Sequence, residues 1–382
     1  MGHWQSGAPA GCGCRAAGAG RFPAGCPIGA VAATRRPGGG LRHSAPELAV
    51  NLQASLSGQA DFAIGNVAGS NIFNILIVLG LSALIAPLVI APRALRFDLP
   101  LAIGLSVLAL GLGFNGSIER AEGAVLAAGG AVYTVGSFWA GRQRQPQQPV
   151  QSSMQERPLP SVALLAGGLG LLVGGSSLLV ESATALAQAL GISELAISIA
   201  VIGPGTSLPE LATSAVAALR GARDLSVGNT NPRSLCARSR SPKLPQYGSH
   251  VLWWACICCS NWYNAIGSNI FNILGVLGLS SALTPGGLEV ASEALRLDLP
   301  VMVLVALACW PVCWTGGRIA RWEGALFVSY YAAYLAYLLL DALDLPFLPA
   351  FGRALFWGAL PLTLLVLLAS SLHYYRLVRR TR

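Results

Sequence analysis

Two glutamates stand where a charge is costly. Glu47 lies in SAPELAVNL (44–52) and Glu210 in GTSLPELATSAV (205–216), each within apolar sequence and each directly after a proline. An ionised carboxyl inside an apolar span is expensive unless it faces a cavity or binds something. Two such carboxyls that meet repel each other unless a cation, or protons, sit between them. Hard divalent cations take oxygen ligands, and Ca²⁺ tolerates an irregular set of carboxylate, carbonyl and amide oxygens. Hydroxyls and amides are close at hand. Ser44, Thr206 and Ser207 flank the glutamates, and a second motif, GSNIFNIL, occurs at 69–76 and again at 267–274. In it Ser70 and Asn74, and likewise Ser268 and Asn272, lie four residues apart and share a helix face. A structural reading accounts for part of this pattern. Ser-x-x-Glu is also a capping box, with Ser207 as the cap and Pro209 in the first turn. A capped half-helix is also how a cation site would be framed, so the two readings are compatible.

The elements that must position these residues are membrane helices. Of 382 residues 54% are apolar and 11% charged, too few charges for a soluble domain of this length. Segments such as 161–180, 325–343 and 354–372 have the length and apolarity of bilayer-crossing helices. The expected helices run near 44–57, 62–86, 99–114, 121–140, 160–188, 193–219, 262–284, 299–315, 322–342 and 354–374. The net charge of +9 comes from arginines between the spans, so it is not a nucleic-acid signal. Seven of the nine cysteines fall in 1–43 and 230–264, and neither a zinc site nor a disulfide framework is expected. No nucleophile–base pair, His cluster or nucleotide loop is present, so a transporter is expected rather than an enzyme.

The chain is an internal repeat. GSNIFNIL recurs at an offset of 198 residues, followed by RALRFDLP (93–100) against EALRLDLP (293–300) and IERAEGA (118–124) against IARWEGA (319–325). Upstream, 44–66 resembles 207–229 at an offset of 163. Repeats of this kind build many secondary transporters. With alternating loops, one side receives Arg93, Arg96, Arg142, Arg144, Arg157, Arg220, Arg223, Arg318, Arg321 and the arginines of the tail. The other side receives only Arg120, Arg296 and Arg353. The arginine-rich side, with loops 141–159 and 220–265 and the C-terminal tail, is therefore expected to be cytoplasmic. The loop at 57–61 then lies outside and its repeat mate at 220–224 inside, so the halves are inverted. Glu181, Glu122, Glu323, Asp98 and Asp298 are read as interfacial or dipole-favoured residues at helix ends, not as ligands.

GTSLPEL (205–211), with GNVAGSNIFNIL (65–76) and AIGSNIFNIL (265–274), resembles the sodium/calcium exchanger membrane family of cation/calcium antiporters. The resemblance covers roughly 44–229 and 265–345. It implies an all-α polytopic membrane protein of two inverted five-helix repeats, with the helix at 354–374 as an addition. It also implies that Ca²⁺ is held by Glu47 and Glu210 with help from the backbone at Thr206. Na⁺ would share those carboxylates and use the hydroxyls of Ser44, Ser207, Ser70 and Ser268, with Asn74 and Asn272 completing the centre. The family often has Asp at one of the last two positions, and this chain has Asn at both. Ca²⁺ and Na⁺, or H⁺ in place of Na⁺, are the expected substrates, in the cytoplasmic membrane.

Two segments depart from the pattern. Residues 1–43 hold no long apolar run where a first helix is expected, and the Gly-Thr-Ser before the first Pro-Glu reads Arg42-His43-Ser44. A single lost base in a GC-rich gene converts one into the other, so 1–43 is read as translated out of frame. The change of offset from 163 to 198 marks an insertion at 230–264, which holds the only Lys, four cysteines and three of the nine tryptophans. The domains are then 1–43 (aberrant), 44–140 (first repeat, lacking its first helix), 141–159 (linker), 160–345 (second repeat, interrupted at 230–264) and 346–382 (extra helix and basic tail). The alternative to a working antiporter is a non-functional product of a decayed or misread exchanger gene.

Overall fold

A computed structural model describes residues 44–90, 94–142, 158–226, 264–314, 318–359, 361, 363, 365 and 366. Segment 1–43, expected to be out of frame, and all of the expected insertion 230–264 except Asn264 lie outside the described residues, as do most of the linker and the basic tail.

The protein is helical. Helix α1 is Ala45–Leu56, and α2 is Ala60–Ile85 with a π-helical turn at Asn74–Leu79. Strand β1 (Leu88–Val89) leads into α3, a π turn at Ala94–Asp98 continuing as Leu99–Gly113. Then come β2 (Ser117–Ile118), α4 (Arg120–Arg142) and α5 (Pro158–Leu190). Helix α6, Glu194–Thr206, meets α7, Leu208–Ser226, at a bend of 41°. The second half continues with α8 (Asn264–Leu283, π turn at Asn272–Leu277) and β3 (Leu288–Glu289). Helix α9 (π turn Ala294–Asp298, then Leu299–Trp314), β4 (Arg318–Ile319) and α10 (Arg321–Ala342) follow. The short α11, Leu348–Arg353, runs into a π turn at Ala354–Ala359.

Five helices among the described residues are long and apolar enough to cross a membrane, and the bent α6–α7 pair makes a sixth. Of these, α2 and α8 are central: 78% of each apolar stretch is buried, against 39% or less for α3, α9 and α10. Large apolar side chains such as Val125, Val132, Trp139, Leu171 and Leu178 are exposed on the outer helices α4 and α5. A belt of that kind is a liability in water and is the ordinary exterior of a protein in lipid.

The repeats interlock instead of sitting side by side. Strand β1 of the first half pairs with β4 of the second, Leu88 opposite Ile319, and β3 of the second pairs with β2 of the first, Leu288 opposite Ile118. The helices do the same. A Cβ at Gly324 on α10 would meet the Gly80 carbonyl on α2 at 2.6 Å, and one at Gly278 on α8 would meet the Ala127 backbone nitrogen on α4 at 2.6 Å. Each contact in one half has its mate in the other, as across a twofold axis. Such close backbone approach is the usual role of small residues where membrane helices cross.

Most expected helix boundaries lie within a few residues of the observed ones; the helix expected at 193–219 is bent after Thr206 and runs to Ser226, and most of 360–374 lies outside the described residues. Helices α3 and α9 begin about a turn before 99 and 299, so Asp98 and Asp298 lie within helix packing. They are 3% and 2% exposed, and Tyr334 on α10 donates its hydroxyl to Asp298 Oδ1 at 2.6 Å. The π turn draws each aspartate into the helix packing, and at Asp298 a tyrosine hydroxyl takes the place of water. Glu122 and Glu323 do act at helix starts. They accept the backbone N–H of Glu119 (2.9 Å) and of Ala320 (2.7 Å).

Candidate cation site

Each glutamate sits in the first turn of its helix, and α7 begins at the bend after Thr206. Ser44 has φ −85°, ψ 13° and Ser207 has φ −90°, ψ 6°, the same backbone in repeat mates. A proline in the next positions, Pro46 or Pro209, lacks the N–H that a helix start leaves unpaired. Glu47 and Glu210 thus lie in the first turns of α1 and α7. Both are buried, 1% and 0% exposed. Ser207, three residues before Glu210, is hydrogen-bonded to Glu47, so the two glutamate-bearing turns meet.

The serines reach across. Ser207 Oγ donates to Glu47 Oε1 at 3.1 Å, linking the second repeat's break to the first repeat's carboxylate. Ser268 Oγ donates to Glu210 Oε1 at 3.5 Å. Ser70, the mate of Ser268, turns elsewhere. Its hydroxyl donates to Asn66 Oδ1 (3.3 Å) and to the Gly203 carbonyl (3.2 Å) and lies 3.4 Å from Thr206 Oγ1. Thr206 Oγ1 donates to Asn66 Oδ1 (3.0 Å) and to the Gly203 carbonyl (3.1 Å). Two of the four predicted hydroxyls, Ser207 and Ser268, thus reach a carboxylate, and Ser70 braces the α2–α6 contact. That contact depends on Gly203, where a Cβ would come within 2.9 Å of the Ser70 nitrogen.

Asn74 and Asn272 open the two inner π turns and are fully buried. Their amide nitrogens are used across the repeat boundary. Asn74 Nδ2 donates to Asn269 Oδ1 (3.0 Å), and Asn272 Nδ2 donates to Asn71 Oδ1 (3.2 Å). Their oxygens are not used. Among the described residues, Glu47 Oε2, Glu210 Oε2, Asn74 Oδ1, Asn272 Oδ1 and Ser44 Oγ are all buried without a hydrogen-bond partner. A buried acceptor without a partner costs about 1–3 kcal/mol, more when charged. Four of them are matched in pairs between the two halves, all five are oxygen and two are carboxylate, the kind of donor set a hard cation takes.

Residues beyond the predicted set complete the frame. Asn66 Nδ2 donates to the Glu47 carbonyl at 3.5 Å and also to Asn51 Oδ1. Asn264 Nδ2 donates to the Glu210 carbonyl at 3.5 Å. The change of offset assigns Asn264 to the insertion. The structure makes it the first residue of α8 and the mate of Asn66, so the interruption ends before it. Asn71 and Asn269 are visible in the repeated GSN, but nothing in the spacing says what they touch.

The chain is similar to known proteins over most of its length. Residues 41–139, 160–230 and 262–340 match the family described as sodium/calcium exchanger protein. The chain is 34% identical over 300 residues to CaxA of Alkalimonas amylolytica, covering 76% of this chain and 82% of that one. It is 33% identical over 305 residues to inner membrane protein YrbG of Escherichia coli (strain K12), with 77% and 82% covered. Among solved structures, the sodium-calcium exchanger NCX_Mj soaked with 2.5 mM Na⁺ and 10 mM Sr²⁺ superimposes with a TM-score of 0.52 at 25% identity, over 81% of this chain and 86% of that chain. The family match spans both interlocked halves and includes every residue of the buried oxygen cluster, so the chain belongs to the sodium/calcium exchanger protein family.

Proposed function

We propose that this chain is a membrane antiporter that exchanges Ca²⁺ for Na⁺ by alternating access at the site between the two repeats. The observation that carries this reading is the cluster of unpartnered buried oxygens on Glu47, Glu210, Asn74, Asn272 and Ser44. Two carboxylates balance one Ca²⁺, or two monovalent cations, in a region that water does not screen. One ion species therefore replaces the other at little electrostatic cost. The inverted halves supply two equivalent ways of closing the site, one from each side. Na⁺ as the counter-ion draws support from the solved exchanger soaked with Na⁺ and Sr²⁺. The E. coli relative, named as an inner membrane protein, supports placement in the cytoplasmic membrane. The arginine distribution supports cytoplasmic loops at 141–159 and 220–265.

The test is Ca²⁺ uptake by proteoliposomes loaded with Na⁺ or with acid. Uptake driven by the Na⁺ gradient and absent in Glu210→Gln is the expected result. Uptake driven by the pH gradient alone replaces Na⁺ with H⁺ as the counter-ion. No uptake under either gradient supports the decayed-gene reading. Wild-type flux in Glu210→Gln moves the site elsewhere.

A further inference from the structure

Asn74 and Asn272 can serve a cation only if their amides face the right way. A side-chain amide presents an oxygen on one edge and an NH₂ on the other, and the hydrogen-bond network decides which edge goes where. The deciding partners here are Asn71 and Asn269, which are 1% and 3% exposed. Asn269 Nδ2 donates to the backbone carbonyl of Asn71 at 3.1 Å, and Asn71 Nδ2 donates to Met302 Sδ at 3.3 Å. A carbonyl and a thioether accept and cannot donate. Each therefore fixes the NH₂ edge of its asparagine and leaves that residue's Oδ1 as an acceptor. Asn74 and Asn272 present their own NH₂ groups to those acceptors, across the repeat boundary in both cases. Their oxygens are thereby turned the other way, where no described protein group meets them.

We propose that Asn71 and Asn269 are positioning residues for cation binding: each holds the amide of the opposite repeat's asparagine with its oxygen directed at the cation. The inference rests on the reading of the central cluster as the cation site. It differs from a packing role in one respect, because the effect of each residue passes through one particular amide. Removing a residue that orients a metal ligand in this way typically costs roughly 10–100-fold in affinity.

The experiment is equilibrium binding of ⁴⁵Ca²⁺ to the purified full chain in detergent, with a double-mutant cycle. Wild type binds Ca²⁺, and Asn269→Leu, which keeps the size and loses the acceptor, binds it roughly 10–100-fold more weakly. In an Asn74→Ala background the same Asn269→Leu change has no further effect, because the amide it orients is gone. An equal loss in both backgrounds, or wild-type affinity in Asn269→Leu, overturns the proposal. If Asn269→Leu does not fold, the mate pair Asn71→Leu and Asn272→Ala gives the same cycle, read in the same way. Met302→Leu, a swap of similar volume, tests the thioether's share and is expected to weaken binding. A wild-type chain that binds no Ca²⁺ overturns the cation-site reading and this inference together. Binding lost in Glu210→Gln but unmoved in the asparagine cycle overturns this inference alone.

Discussion

Ser207 gives its hydroxyl to the other half of the molecule. As a helix cap it would bond to its own backbone, and in the structure it donates to Glu47. A hydrogen bond to a charged group contributes about 1.5–3 kcal/mol. Ser207→Ala is therefore expected to weaken Ca²⁺ binding about tenfold or more, read as the half-saturating Ca²⁺ in vesicle uptake. Its mate Ser44 has a hydroxyl with no protein partner among the described residues. Ser44→Ala should leave the carboxylate in place and lower only the response to Na⁺. If the two serines behave alike, the hydrogen bond to Glu47 has no special part. Acid should oppose Ca²⁺ in either case, because a carboxylate that binds metal must first lose its proton.

At the scale of the helices, the tight crossings hold the repeats together. Gly278→Leu on α8 drives a side chain into the backbone of α4 and is expected to destabilise by about 1–3 kcal/mol or more. Gly104→Leu on α3, where a Cβ meets nothing within 4 Å, should be neutral or slightly stabilising. Thermal unfolding in detergent distinguishes the two, and equal behaviour would contradict the packing described. The glutamates, their prolines and the duplicated GSNIFNIL are legible in the sequence because each breaks an apolar background. The spans are legible from length alone. The facing of the helices is not. When a helix is apolar on every side, periodicity no longer tells which face meets protein and which meets lipid. That is why the hydrogen bond of Ser70 to the Gly203 carbonyl of α6, and the burial of Asp98 and Asp298, are not legible in the sequence. It is also why the parts of Asn71 and Asn269 emerge only from the fold. The π turns are equally hidden, since no residue pattern announces an extra residue in a helical turn.

At the scale of the whole molecule, the two small sheets mark its two ends. Helix α3, a candidate span, separates β1 from β2, so the β1–β4 pair and the β2–β3 pair lie at its opposite ends, and the inverted reading puts them on opposite sides of the membrane. Cysteine placed at Ser117 should react with an impermeant maleimide on intact cells, while cysteine at Arg318 should need permeabilised cells. Equal labelling of both would refute the inverted arrangement. The pairing also has a consequence in time. Leu88 leaves the ribosome 231 residues before its partner Ile319. At about 5–20 residues per second that is a delay of roughly 10–50 s. Throughout it the first half holds a strand edge and a glycine crossing whose counterparts, Ile319 and Gly324, do not yet exist. The newborn chain must wait in the membrane half-finished, and the insertion machinery has to shelter it for that long.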